Sequence, residues 1–563
     1  MNNTSTVNFN MRHFACFLSL ILVIVSPVSW ANSAPATAAV AMPDHFAAQV
    51  TQQILRDGGN AIDAAITATF VLAVTLPEAG NIGGGGFMIS HMNGEDAFLD
   101  FRERAPQKAH RDMYLDEGGN FVQQDSLLGG RASGVPGTVR GMHEAHKRYG
   151  SKPWASLLQP AITLARDGFK VPPQLAEYAA EKVTETAGET NFARYFSTMR
   201  AGELFKQKEL AATLERIAKN PDDFYTGLTA RQITAQMTRS DGLITMEDLA
   251  NYKAVWRAPL IQTWREYTVV TAAPPSSGGI ALVQLLQMRD FADKHFRDVW
   301  HNSPQYIHLL AEIEKRVFAD RGEYLGDPDF VAVPVAKLID QNYLQMRARE
   351  LNPGKISTVD KVKAGLESTE TTHFSILDKH GNAVAITTTL NWGFGSGVVV
   401  EGAGFVLNNE MDDFSAKVGV KNKFGVVGSA RNSIEPGKRM LSSMTPTILL
   451  KNGKPALIIG TPGGSTIFTS VYQVILNLYD YTMPLQAAVN ANRYHHQLPD
   501  AFLIRHDQRE IPSQTHNSLT AMGYTVEANS WGNLGDIQAI KVEGNVVEAA
   551  SDNRGRGESL LIN

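Results

Sequence analysis

A threonine hydroxyl is a weak nucleophile until a base stands beside it. In this chain one threonine is placed so that scission could supply that base. Residues 351–370 are polar, carry Pro353 and Gly354 and show no apolar periodicity, as expected of a linker or exposed loop. They run straight into Thr371-Thr372-His373-Phe374-Ser375, the beginning of a strand-like segment. If the Glu370–Thr371 bond breaks, Thr371 gains a free α-amine next to its own hydroxyl. That amine titrates at about 7.7–8.0 and accepts the hydroxyl proton near neutrality. One residue then provides both nucleophile and base. On pattern alone, an ordinary strand-start threonine is the competing reading.

Other chemistry-bearing groups are scattered. Arg102 lies in Asp100-Phe101-Arg102-Glu103, where its fork could clamp a carboxylate or simply pair with Asp100 or Glu103 at the surface. Glu410 and Asp413 belong to an acidic run that could equally be a solvated face. Gly463-Gly464 could expose backbone N–H groups to an anion or make a tight turn. Four glycines, 83–86, follow Gly80-Asn81-Ile82, but no Lys-Ser or Lys-Thr comes after them, so close backbone packing is favoured over a phosphate loop. His495-His496 has no carboxylate or third histidine at ligand spacing, so the pair reads as structural and no metal is expected.

The elements that must position these groups divide at the junction. Residues 47–55 read as an amphipathic helix stopped by Gly58-Gly59. Residues 61–76, apolar except for Asp63 and closed by Pro77, read as a helix buried in the core. From 140 to 350 the pattern is mostly helical, as in 160–166, where Pro160 can open the first turn, 209–218 and 307–316. After Thr371 the pattern changes to strands. A hairpin is expected from 373–377 and 383–390 around Lys379-His380-Gly381-Asn382, with further strands at 445–450 and 456–459.

The 563 residues are enough for two lobes or one large enzyme, and 43% hydrophobic with 19% charged residues describes an ordinary globular chain. A net charge of −5 and a pI near 6.3 argue against nucleic acid as a partner. Residues 1–31 have the layout of a secretory signal: Arg12, a short apolar run at 14–25, then Ser29-Trp30-Ala31. A weak anchor is the alternative. The only cysteine, Cys16, falls inside this segment, so the exported chain has no thiol chemistry and no disulfide. Residues 32–40 read as a small-residue leader.

Taken together, the motifs resemble the gamma-glutamyltransferase family. They are the Thr371–Ser375 start, Leu390-Asn391, Asn408-Asn409-Glu410-Met411-Asp412-Asp413-Phe414-Ser415, Leu441-Ser442-Ser443-Met444 and Gly460-Thr461-Pro462-Gly463-Gly464-Ser465. Upstream, the glycine run, Asp100–Glu103, Gly134-Val135-Pro136-Gly137-Thr138-Val139 and Pro274-Pro275-Ser276-Ser277-Gly278-Gly279 follow in the family's order. The likeness extends from about residue 47 to the C-terminus.

The resemblance implies an α+β fold, the four-layer αββα sandwich of N-terminal nucleophile hydrolases with mainly antiparallel sheets. It implies a large subunit, 32–370, and a small subunit, 371–563, held together as a heterodimer in the periplasm or outside the cell. Thr371 would be the nucleophile in self-cleavage and catalysis, and Thr389 would hold its amine. Gly463 and Gly464 would bind the oxyanion. Arg102, Ser442 and Ser443 would take the α-carboxylate of a γ-glutamyl group, and Asn391, Glu410 and Asp413 its ammonium. Residues 414–437 would form a lid with Phe424 closing it. The donor would be glutathione or a related compound, the acceptor water, an amino acid or a peptide, and no cofactor would be needed. Glu370 departs from the glutamine familiar at the cleavage site, which bears on the rate and pH dependence of maturation.

Rival readings are a cephalosporin or glutaryl acylase of the same fold, a γ-polyglutamate-cleaving variant, and an inactive periplasmic γ-glutamyl-binding protein. An acylase substrate lacks the ammonium and would leave Glu410 and Asp413 uncompensated.

Overall fold

The computed structural model describes Met1 and residues 37–358, 370–417, 429–530 and 532–563. Residues 2–31 of the signal segment, residues 418–428 of the expected lid with Phe424, and the side chain of Glu370 lie outside the described residues. All elements below belong to the body Pro35–Asn563.

Two antiparallel sheets carry the fold. Their strands, in chain order, are β1 Ala38–Met42, β2 Gly85–Met92, β3 Glu95–Asp100, β4 Val255–Arg257, β5 Leu260–Trp264, β6 Tyr267–Thr271, β7 Glu370–Leu377, β8 Ala383–Asn391, β9 Thr447–Lys451, β10 Lys454–Gly460, β11 Gln538–Glu543, β12 Val546–Ser551 and β13 Glu558–Ile562. The first sheet has the order β13-β1-β7-β8-β2-β3-β4 and the second β12-β11-β10-β9-β6-β5. Both sheets combine strands from before and after the Glu370–Thr371 bond, and in the first sheet β1 lies between β13 and β7. Pairing across that bond is made by β1 with β13 and β7, by β8 with β2 and by β9 with β6, and the apolar layer between the sheets draws on both segments.

Period-two alternation sorts side chains between layers. Phe87, Ile89 and Ala385 from the first sheet meet Val270, Ile448, Ile458 and Ile540 from the second in a shared apolar layer. Their neighbours Met88, Phe374, Ile376 and Val384 face outward, against helices α1 His45–Arg56, α2 Ala61–Thr75, α3 Trp154–Asp167 and α4 Lys208–Lys219. On the opposite side, Leu449, Leu457 and Ile459 face α5 Gly278–Phe291, α6 Pro304–Tyr324 and α7 Ile467–Tyr479. The result is helix, sheet, sheet, helix.

Helix α2 is buried along its whole length, which its sequence anticipates. Asn60 caps it, accepting from the N–H groups of Ile62 and Asp63, while the Asp63 carboxylate accepts from Asn60 N in return. The 47–55 helix runs as α1, and Gly58 follows it with φ of 78°. Among the described residues no helix is long and apolar enough to cross a membrane.

Three readings change. Pro160 does not open a helix; α3 begins at Trp154 and carries Pro160 inside it. Its face of Leu157, Leu158, Ala161 and Ile162 is buried, and that packing outweighs the lost backbone hydrogen bond. Residues 32–40 are not all leader, because Ala38–Met42 is a fully buried strand between β13 and β7. Small side chains there suit the crowded space between layers. Strands β4, β5 and β6 interrupt the region that reads as helical.

Candidate active site

Strand β7 starts at the junction and lies between β1 and β8. Thr371 is its second residue, and Thr389 on β8 is directly opposite. The register then slips at a bulge, so that Asn391 rather than Leu390 faces Glu370. Asn391 has φ of 79°, and its N–H donates to Thr389 Oγ1 at 2.7 Å. The Thr389 carbonyl accepts from Asn81 Nδ2 at 2.8 Å. A bulge that re-aims side chains therefore coincides with the Glu370–Thr371 bond.

The glycine run explains itself at this point. A Cβ on Gly84 would sit 2.1 Å from the Thr389 carbonyl oxygen, and one on Gly83 would sit 2.1 Å from that of Val406. Close backbone packing is the reason for these glycines. Asn408 binds the next layer: its Nδ2 donates to the carbonyls of Gly83 and Gly134 at 2.8 Å each, and its Oδ1 accepts from the N–H of Glu410 at 3.0 Å. The glycine run, the Gly134–Gly137 segment and the acidic run thus lock together on one asparagine.

Thr371, Thr389, Arg102, Glu410, Asp413, Ser442, Ser443 and Gly464 line one narrow cavity. Arg102 is only 1% exposed, so it is no surface residue. Its guanidinium donates from one terminal nitrogen to Glu410 and from the other to Asp413, with Glu103 at 3.7 Å. Asp100 is engaged elsewhere, by Arg257 at 2.8 Å and Arg439 at 3.2 Å. The expected division, Arg102 for a carboxylate and the two acids for an ammonium, therefore meets one contiguous ion cluster in which these groups neutralise each other.

Three carboxyls around one guanidinium in a buried site cannot all remain freely ionised. Burial pushes Asp413 up to about 6 and Glu103 up to about 8, with Arg102 pulling both back down. Burial also raises Glu410 well above the usual carboxylate range. Arg102 loses basicity to burial but gains more from Glu410, Asp413 and Glu103, and it stays charged.

Ser442 and Ser443 are held by the Pro274–Gly279 turn. The Ser442 carbonyl accepts from the Ser277 N–H at 2.6 Å and from its hydroxyl at 2.8 Å, and Ser277 Oγ accepts from Arg321 Nε at 3.0 Å. Asn432 ties the same loop to the acids, donating to the Asp413 carbonyl at 2.7 Å and accepting from the Leu441 N–H at 3.0 Å. Asn408 and Ser277 lie within the motifs with no local sign of these contacts, and Glu103 reads there only as a surface partner for Arg102. Arg321 and Asn432 carry no local signal.

Gly463 and Gly464 have φ of 131° and 56° and lead through Gly464–Thr466 into helix α7. Among the described residues their N–H groups meet no backbone acceptor. They stand at the positive end of a helix of 13 residues. Gly464 lines the cavity with Thr371, and Gly463 lines a second cavity that Thr371 also borders. The Asn391 side chain donates to the Asn409 carbonyl at 2.9 Å.

The histidines are core residues. His373 shares hydrogen bonds with Thr387 and Ser375, at 2.9 and 3.2 Å. His495 lies between Thr469 and Gln497, and His496 Nδ1 is 2.8 Å from the Leu503 carbonyl. Burial lowers all three to about 3, which keeps them neutral.

Comparison with known proteins agrees with this arrangement. A glutathione hydrolase proenzyme of Pseudomonas aeruginosa is 57% identical over 526 residues, covering 93% of this chain and 94% of the relative. The solved gamma-glutamyltranspeptidase from Pseudomonas nitroreducens, complexed with L-DON, is 53% identical with a TM-score of 0.56, covering 57% of this chain and 96% of that one. The solved cephalosporin acylase from Bacillus halodurans is 26% identical with a TM-score of 0.80, covering 96% of this chain and 99% of that one. The fold is the αββα sandwich of N-terminal nucleophile hydrolases. The family model described as gamma-glutamyltranspeptidase matches residues 47–562, and the chain belongs to that enzyme family.

Proposed function

We propose that the chain is exported, cleaves itself between Glu370 and Thr371, and then uses Thr371 to transfer γ-glutamyl groups from glutathione and related compounds. The observation that carries this reading is the position of Thr371. It heads a central strand opposite Thr389 and shares one cavity with the Arg102–Glu410–Asp413 cluster and Gly464.

In the matured protein the Thr371 amine takes the proton from its own hydroxyl, and Oγ attacks the γ-carbonyl carbon. The oxyanion forms against the N–H groups of Gly463 and Gly464, a kind of contact worth roughly 10²–10³ in rate. The amine proton then passes to the leaving nitrogen, the C–N bond breaks, and a γ-glutamyl ester of Thr371 remains. Water or an acceptor amine completes the cycle. Thr389, on the facing strand, is suited to orient the amine.

Substrate recognition reorganises the ion cluster. The α-carboxylate competes with Glu410 and Asp413 for Arg102 and is supported by Ser442 and Ser443. The α-ammonium compensates the acids so released. Asn391 joins the two acids as a partner for the ammonium, next to the bulge that its own N–H helps to hold. A glutaryl donor would occupy Arg102 and return nothing to the two acids, leaving buried negative charge unpaired. This favours a γ-glutamyl donor over the acylase reading. An inactive binding protein would have no use for the paired threonines and the glycine turn together.

The interleaved strands support a heterodimer of 32–370 and 371–563 that stays assembled after scission. Export to the periplasm or medium rests on the 1–31 signal, and the lid role of Phe424 rests on the resemblance. On a denaturing gel the purified protein is expected to give two bands and Thr371→Ala one. N-terminal sequencing of the smaller fragment should begin at Thr371. A fully active single chain, or scission at another bond, overturns the proposal.

A further inference from the structure

Arginines buried in this fold are normally matched by carboxylates. Arg257, Arg439, Arg493, Arg554 and Arg556 each form at least one such pair. Arg104 is different. It is half-buried, and its Nε donates to the Gly437 carbonyl at 2.6 Å. Its two terminal nitrogens have no hydrogen-bond or ion-pair partner among the described residues. Burial, and then the neighbouring Arg439, lower its basicity, so this guanidinium lacks a matching anion.

Arg104 lines a third cavity, of about 280 Å³, which shares no wall residue with the two cavities that Thr371 borders. Pockets for small organic ligands begin near this size. Gln107, Glu247, Asp248, Tyr252 and Gly437 are among its other walls. The backbone fixes Arg104 in place: its N–H donates to the Val135 carbonyl at 3.3 Å, and its carbonyl accepts from the Val135 N–H at 2.8 Å. A Cβ on Gly437 would lie 3.0 Å from Gln107 Nε2 and 3.1 Å from a terminal nitrogen of Arg104. These two donors therefore converge on one point of the wall, and the glycine leaves that point open.

The two acids on the wall are not equivalent. Asp248 is engaged by the protein: Oδ1 accepts from the Gln107 N–H at 2.8 Å, and Oδ2 from the Thr245 N–H and hydroxyl at 2.8 and 2.7 Å. Glu247 is exposed, and its carboxylate has no hydrogen-bond or ion-pair partner among the described residues. The cavity thus offers an unmatched guanidinium fork with an amide beside it, and one unmatched carboxylate. A simple anion would satisfy the first and be repelled by the second, whereas a molecule with both charges satisfies both. Tyr252 donates from its hydroxyl to the Arg102 carbonyl at 2.8 Å, which places this wall one hydrogen bond from Arg102.

We infer that this third cavity is a binding site for a small zwitterion, an amino acid or dipeptide whose carboxylate meets Arg104 and Gln107 and whose ammonium meets Glu247. It is separate from the cavities of Thr371, and the assignment needs no role for that residue.

Arginine-selective modification by phenylglyoxal reads the site directly. Purified protein is treated at pH 7, and peptide mass spectrometry follows Arg104 against the exposed Arg111 in the same digest. Glycylglycine, as the probe at about 100 mM, is expected to slow modification of Arg104 at least about fivefold relative to Arg111. Glycylglycine amide, which lacks the carboxylate, and N-acetylglycylglycine, which lacks the ammonium, should each slow it less than about twofold. Glu247→Gln changes only an exposed side chain and should lose most of the protection by glycylglycine. Three results each overturn the assignment: no slowing specific to Arg104, equal protection by either blocked dipeptide, or full protection in Glu247→Gln. The readout is a side chain outside the Thr371 cavities, so the answer stands whether or not Thr371 proves to be the nucleophile.

Discussion

Thr389 lies directly opposite Thr371 in the β7–β8 ladder, and the next step of that ladder is the bulge that turns Asn391 toward Glu370. The hydroxyl of Thr389 accepts from the Asn391 N–H, so the side chain opposite Thr371 also holds the distortion beside the Glu370–Thr371 bond. Thr389→Val keeps the shape and removes that acceptor. Maturation of the variant should slow visibly in a time-course gel, and kcat should fall by about 10- to 100-fold, in line with small displacements of a reacting group. Normal cleavage and turnover would show that this hydroxyl positions nothing.

The acid cluster makes donor binding depend on pH. Asp413 titrates at about 6, and it must be ionised to receive an ammonium. Donor KM should therefore rise as pH falls through about 6, beyond any effect on kcat. Asp413→Asn should raise donor KM on the order of 10- to 100-fold by removing a buried charge partner, and it should flatten that part of the profile. The steady-state KM of γ-glutamyl-p-nitroanilide from pH 5 to 8 provides the check. A parallel pH dependence in wild type and variant would remove Asp413 from ammonium recognition.

Glu103 predicts an effect on stability. It is buried, neither carboxyl oxygen has a hydrogen-bond partner among the described residues, and it titrates at about 8. An unfolded glutamate titrates at about 4.3. Between those values the folded state binds more protons, so this group's contribution is full below the unfolded value and disappears as pH rises through about 8. In an uncleavable Thr371→Ala background, the urea midpoint should drop less between pH 5.5 and 8.5 when Glu103 is also changed to Gln. An equal drop in both proteins would mean that Glu103 is already ionised in the fold.

Much of this was legible because local signals agreed. The capped apolar run of α2, the hairpin after Thr371 and the polar stretch before it each follow from periodicity and turn residues. Strands β4, β5 and β6 were not legible, since they are short, sit within helical surroundings and are fixed by distant partners, β4 by β3 about 160 residues earlier and β6 by β9 about 180 residues later. The pairing of Thr371 with Thr389 follows once the hairpin register is set. The union of Arg102 with Glu410 does not, because 308 residues separate them and only tertiary folding brings them together. For the same reason Asn432 and Arg321 pass unnoticed in the chain: their value lies in which loops they tie.

The glycine turn gives the most direct test of transition-state stabilisation. Gly463 has φ of 131°, a conformation that side-chain-bearing residues rarely adopt, and a Cβ there would lie 2.5 Å from Thr466 Oγ1. Gly463→Ala must therefore rotate the peptide that carries the Gly464 N–H, while Arg102, Glu410 and Asp413 stay where they are. An N–H displaced from a developing oxyanion loses its effect only where that charge exists, so kcat should fall by about 10²-fold with donor KM nearly unchanged. The proposed self-cleavage would pass through an analogous tetrahedral oxyanion at the Glu370 carbonyl. If the same two N–H groups serve both reactions, maturation and turnover should slow together. A variant that matures at the normal rate but turns over slowly would assign the turn to catalysis alone, and one impaired only in donor KM would remove it from oxyanion binding altogether.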